Sequence, residues 1–235
     1  MIYAAGLLVG CVHHKQELTL RSDGTGELVV SYFFPNSTLE QINAYLDTDE
    51  SPISDAVLFD ADVIREEFSN YEPLGVQVKE VRITEDEFGK RSQIVLAFDS
   101  LIGLVETHLF RESNVSLRRS DDGRYVFSLR SAMTPRRSLP AEDPTTLAEL
   151  NVELRYTIPG RISESNADRQ EGSTAIWTFD LSHDSNALRR LERAHLRIEF
   201  EAPEPLHEFG QEFVRLSGPQ RPKLDPSLPT NEHSD

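Results

Sequence analysis

The chain is poor in the residues that build covalent or metal-held sites. Its 235 residues include one cysteine, Cys11, one tryptophan, Trp177, and two methionines. A single thiol excludes an internal disulfide and any zinc site made of several cysteines. No internal run approaches the roughly 18–20 consecutive apolar residues of a membrane-spanning helix. Basic residues are the scarcer charge, 24 Lys and Arg against 40 Asp and Glu, for a formal net charge of -16. That balance argues against nucleic acid, because phosphate contacts need clustered Lys and Arg. It argues equally against electrostatic adhesion to anionic headgroups. Catalytic motifs are missing too, with no GxSxG, GxGxxG, P-loop or HExxH. The plain reading of the acidity is solubility.

What is present begins at the amino terminus. MIYAAGLLVGC ends in Leu8-Val9-Gly10-Cys11, the pattern of a bacterial lipobox. A small residue before the cysteine suits signal-peptidase cleavage, and the thiol takes a diacylglyceryl group. Residues 1–10 then read as a signal peptide, Cys11 as the lipidated mature terminus, and 11–17 as a tether. The apolar run is short and has no Lys or Arg, unlike an ordinary secretory signal; a true start upstream of Met1 accounts for both. The plain alternative is an apolar strand or frayed end with an incidental thiol. At about 0.8 kcal/mol per buried CH₂, two or three acyl chains such as palmitate hold a protein on a membrane. The compartment expected is the cell envelope, outside the cytoplasm.

The rest of the chain alternates strand and helix signals. In QELTLRSDGTGELVVSYFF (16–34), Leu18 and Leu20, then Leu28, Val30 and Tyr32, alternate with other residues around Asp23-Gly24-Thr25-Gly26, which predicts a β-hairpin. NSTLEQINAYLD predicts a helix capped by Ser37 or Thr38 with Leu39, Ile42 and Leu46 on one face. FDADVIREEFSNYEP predicts a second, capped by Asp60, with Val63, Ile64 and Phe68 as its apolar stripe. VQVKEVRI and SQIVLAF form a second hairpin. Ser100 caps a short helix, and NVSLRR with RYVFSLR makes a third hairpin. Residues 132–146 read as an exposed crossing rich in Pro and small polar residues. NVELRYTIPGRI, STAIWTFDLS and HLRIEFEA are further strands, with DSNALRRLERA as a helix before the last. From 218 to 235 the composition is that of a disordered tail. The expected fold is α+β, an antiparallel sheet of several hairpins with interleaved short helices, forming one domain over 18–217.

Few residues stand out chemically. Asp47-Thr-Asp49-Glu-Ser51 opens like a calcium loop, but Pro52 and Leu58 occupy the positions that need Gly and a bidentate Glu, so it reads as a solvated acidic loop. His13-His14 are adjacent, and on an extended chain point apart, which suits a tether better than a metal site. No metal ligand set or cofactor is expected. Arg189, Arg190 and Arg193 share one side of a helical segment; they are a solvated face with snorkelling stems or a receiver for an anionic headgroup. Trp177 is a core residue or a ligand platform.

Three segments, in order, resemble the LppM-like family of bacterial lipoproteins. They are the lipobox at Cys11 with LTLRSDGTGELVV behind it, FGKRSQIVLAFDSLIGLVE, and YTIPGRISESNADRQEGSTAIWTFDL. Together they cover most of residues 11 to about 182. The resemblance implies an envelope-anchored α+β domain that is not an enzyme, and a lipid or glycolipid as ligand. The chain departs from the pattern in having no transmembrane helix after the domain and in adding NALRRLERAHLRIEFEAP. An apolar cavity between residues 37–72 and the sheet would suit a lipid. A scaffold that binds an envelope protein partner through an exposed patch is the alternative.

Overall fold

The structure is a computed structural model that describes residues 12–40, 59–110, 113–131, 150–184, 186–206 and the backbone of 214–216. Cys11, the signal segment, the acidic loop at 47–51, the crossing at 132–146 and the tail at 218–235 lie outside the described residues. Residues 36–40 are helical, and the remainder of the helix expected there also lies outside them.

Each predicted hairpin forms, because alternation and turn chemistry agree. Strands β1 (Val12–Leu20) and β2 (Gly26–Pro35) pair antiparallel with Leu18 opposite Leu28. Strands β3 (Val76–Glu85) and β4 (Gly89–Phe98) pair likewise, with one register shift between Val78 and Glu80. The third hairpin is β5 (Ser113–Arg119) with β6 (Tyr125–Ser131). The first and third close with the same device. Arg21 N–H donates to the Thr25 carbonyl at 2.8 Å, and Ser120 N–H to the Arg124 carbonyl at 2.7 Å. Gly24 and Gly123 sit at φ 86° and 88°, where a side chain would be strained.

After β6 the strands alternate between two sheets. β7 (Leu150–Thr157) returns to the first, and Pro159-Gly160 turns the chain into β8 (Arg161–Ser165) of the second. β9 (Arg169–Glu171) and β10 (Thr174–Asp180) rejoin the first sheet, whereas β11 (His195–Glu201) and β12 (Val214–Leu216) belong to the second. The first sheet runs β3-β4-β2-β1-β7-β10-β9 and the second β12-β5-β6-β11-β8. Expectation and structure differ in three places. β1 and β7 pair parallel, Val12 opposite Leu150 through Thr19 opposite Thr157, so the first sheet is mixed. NVELRYTIPGRI is two strands in different sheets. Residues 12–17, expected as a tether, are strand, paired with β7 and, from His13, with β2. The α+β class itself holds.

The helices are short, and two are capped as their sequences require; at 36–40 the expected caps Ser37 and Thr38 lie inside the helix. In α1 (Ala61–Ser69) the Asp60 carboxylate accepts from Asp62 N–H at 2.9 Å and Val63 N–H at 3.2 Å. Its Ile64 and Phe68, four residues apart, are buried. In α2 (Leu101–Val105) the Ser100 hydroxyl accepts from Gly103 N–H at 3.1 Å. α3 (Ala187–Glu192) lies against β10. The buried apolar residues form one continuous core drawn from both sheets. Phe127 of the second sheet meets Tyr156 of the first edge-on at 5.7 Å, and Tyr156 meets Trp177 at 5.8 Å.

Candidate functional site

The two faces of the first sheet differ in chemistry. Alternation sends Lys15, Glu17, Glu153 and Arg155 to the outer face, where Lys15 and Arg155 pair with the glutamates at 3.1–3.7 Å. The inner face carries Leu18, Leu28, Val30, Ile94 and Leu96, all buried. The apolar pattern of this inner face is broken at Gln16, opposite Val30, and in the row next to it. His14 lies opposite Tyr32, and Tyr32 opposite Ser92, so three polar side chains stand abreast on β1, β2 and β4. The rings of His14 and Tyr32 are 4.9 Å apart.

Ser92 is buried, His14 and Tyr32 are half-buried, and the row is incompletely partnered. Ser92 is 1% exposed and its hydroxyl has no hydrogen-bond partner; neither has Nδ1 of His14. A buried polar group left unpaired costs about 1–3 kcal/mol. Burial lowers the His14 pKa from 6.5 to about 4, so the imidazole is neutral at pH 7. Burial, with a smaller push from the Glu67 carboxylate of α1, raises the Tyr32 phenol to about 12. Next to it, Glu67 approaches His108 Nδ1 at 3.4 Å, and the Tyr71 hydroxyl accepts from His108 N–H at 3.1 Å. Phe68 packs on the His108 ring at 4.9 Å. A neutral imidazole, a phenol and a serine hydroxyl in one row can exchange hydrogen bonds with hydroxyl groups. A hydroxyl is both donor and acceptor, so it satisfies either tautomer of His14.

The residues singled out from sequence lie elsewhere and do not form one site. Cys11 lies outside the described residues. Trp177 is 4% exposed in the core, and its indole N–H donates to the Asn166 carbonyl and side-chain oxygen at 3.2 and 3.3 Å. That satisfies the indole within the core. Arg190 is engaged as well. Its guanidinium reaches Asp168 at 3.1 Å and Asp184 at 3.2 Å, and lies over the Phe179 ring at 5.4 Å. Asp168 also accepts from Thr178 N–H at 2.8 Å, so the cluster clips α3 to β10. Arg189 and Arg193 are exposed. Of the three arginines, Arg190 is thus the one already paired with two carboxylates.

Sequence reasoning gave His14 to a tether and Tyr32 to a hairpin stripe and passed over Ser92, although a signal for the row was there. His14 has the parity of Leu18 and Leu20, and Ser92 that of Ile94 and Leu96; extending the alternation by one or two steps puts both indoors. A second buried polar group, Glu199, had no such signal. Its carboxylate is held by Arg124 and, at 2.8 Å, by Arg197, which also reaches Glu164 at 3.2 Å.

Among the described residues no helix is long and apolar enough to cross a membrane, and no group of three or more His, Cys, Asp or Glu is placed to hold a metal. No known protein family and no curated protein matches the chain. Among solved structures it is similar to the NMR structure of the folded domain of Mycobacterium tuberculosis LppM. Identity is 16%, the match covers 83% of this chain and 92% of that one, and the TM-score is 0.46. The α+β class stands on the two sheets and their short helices.

Proposed function

We propose that the chain is a lipid-anchored protein of the cell envelope whose α+β domain binds a lipid or glycolipid through headgroup hydroxyls and does not transform it. The observation that carries this reading is the polar row, His14, Tyr32 and Ser92, set across a sheet face that is apolar beyond Gln16, with two buried atoms unpaired. An apolar layer with a few convergent polar groups is the usual composition of a small-molecule site. The anchor reading rests on Leu8-Val9-Gly10-Cys11 and bears on the same end of the molecule, since β1 begins one residue after Cys11. Half of the cavity wall expected at 37–72, residues 41–58, lies outside the described residues.

Native mass spectrometry of protein extracted from membranes in mild detergent tests the reading. Wild type is expected to carry a lipid adduct, and His14→Leu with Ser92→Ala to lose it while melting normally. An adduct-free wild type refutes lipid binding. If pulldown from the same membranes then enriches one envelope protein, the domain is a partner-binding scaffold. Labelling with a palmitate analogue, lost in Cys11→Ala, tests the anchor.

A further inference from the structure

We infer that the end of the first sheet next to Cys11 docks into the headgroup layer of a zwitterionic phospholipid bilayer, with Phe88 as its inserted side chain. The inference deepens the anchor reading above and rests on it. Cys11 is bonded to Val12, the first residue of β1, and one residue spans at most about 3.6 Å. No tether separates the anchor from the sheet, so the acyl chains draw this end against the headgroups.

That end has the composition of a membrane interface. The β3–β4 turn reaches it, because Pro35 at the end of β2 lies opposite Gly89. Phe88 at the turn's tip is 64% exposed, the most exposed large apolar side chain among the described residues. It is held out by construction. The Asp86 carboxylate accepts from Phe88 N–H at 2.8 Å and Gly89 N–H at 3.1 Å. Asn36 binds the other side of the turn, donating to the Phe88 carbonyl at 3.2 Å and the Glu87 carbonyl at 3.1 Å. Behind Phe88, the Arg91 guanidinium lies over Phe33 at 4.2 Å and the Lys90 ammonium over Phe59 at 4.8 Å. Aromatic rings beside Arg and Lys are what settles at the boundary of headgroup and acyl chain. The opposite end of the β1–β2 hairpin, Arg21 to Thr25, carries no aromatic residue.

Charge selects the kind of bilayer. The turn carries Glu85, Asp86 and Glu87 beside Lys90 and Arg91, with Asp86 3.9 Å from Arg91. A surface with both signs matches a headgroup with both, phosphate for the cations and ammonium for the carboxylates. An anionic headgroup would meet the three carboxylates and the chain's net charge of -16 unfavourably.

The test attaches the full chain through Cys11, its single thiol, to maleimide-bearing phospholipid in phosphatidylcholine vesicles, which makes it independent of lipidation in the cell. Phe88→Trp is expected to shift its emission to the blue and to be quenched by lipids brominated along the acyl chain, with Thr25→Trp unquenched. In the unsubstituted protein, amide exchange over 86–91 is expected to slow on attachment. Without attachment, Phe88→Ser is expected to lower vesicle partitioning roughly tenfold, the worth of returning most of a phenylalanine side chain to water. An unquenched Phe88→Trp together with unchanged exchange overturns the inference, as does protection that appears only when membrane proteins are added. If Cys11 proves unmodified in cells while the attached turn inserts, the anchor fails and the docking surface stands.

Discussion

Acid should destabilise this domain, with His14 as a separable contribution. His14 is held neutral by burial down to about pH 4, against an ordinary pKa of 6.5. Between those values the unfolded chain takes up a proton that the folded chain refuses, so stability rises with pH. The contribution is whole above about pH 6.5 and is lost as pH falls toward 4. At about 1.36 kcal/mol per pKa unit, the gap between 6.5 and about 4 is worth about 3 kcal/mol, of which about 2 kcal/mol is gone by pH 5. Urea unfolding of wild type and His14→Leu at pH 7 and pH 5 isolates it. His195, whose pKa burial, Arg130 and Arg197 also lower, acts with the same sign in both proteins and cancels in the difference. At pH 7 His14→Leu is expected to match wild type to about 1 kcal/mol, since it removes an unpaired buried nitrogen. At pH 5 it should be the more stable by about 2 kcal/mol. Parallel losses in the two proteins between pH 7 and pH 5 would show that His14 is not the buried neutral group described.

Other perturbations test the frame. A Cβ on Gly26 would lie 2.1 Å from Cζ of Phe98 and 2.2 Å from the Thr19 carbonyl oxygen, so Gly26→Ala should cost about 2–3 kcal/mol in thermal unfolding. Glu199→Gln leaves Arg124 and Arg197 facing a neutral amide; a loss of about 1–2 kcal/mol in urea, shrinking with added salt, is expected. Arg190→Ala should loosen α3, seen as faster amide exchange over 187–192, and leave the lipid adduct of wild type intact. Loss of the adduct would place Arg190 in the binding site.

Much of the local structure was legible in the order of residues. Asp60 and Ser100 cap the helices predicted for them, and the Asp-Gly turns close two hairpins, because capping and turn chemistry involve groups within a few positions of one another. The site was half legible. Strand parity places His14 and Ser92 indoors, but nothing near either residue says they share a row, since residues 14, 32 and 92 meet only through pairing across β1, β2 and β4. Trp177 and Arg190 drew attention by rarity and clustering; their partners, Asn166 and Asp168, are set by the loop between β8 and β9, which no pattern predicted.

By itself the sequence determined the hairpins, the caps of α1 and α2, the acidic balance and the Leu8-Val9-Gly10-Cys11 pattern, all of which depend on neighbouring residues or on totals. Only the tertiary structure decided the parallel pairing of β1 with β7 and the sharing of β7 to β11 between two sheets. It also decided that His14 stands in a strand opposite Tyr32 and not in a tether. Pairing of strands more than a hundred residues apart is chosen by which surfaces the whole chain can bury together, and no local stretch carries that information.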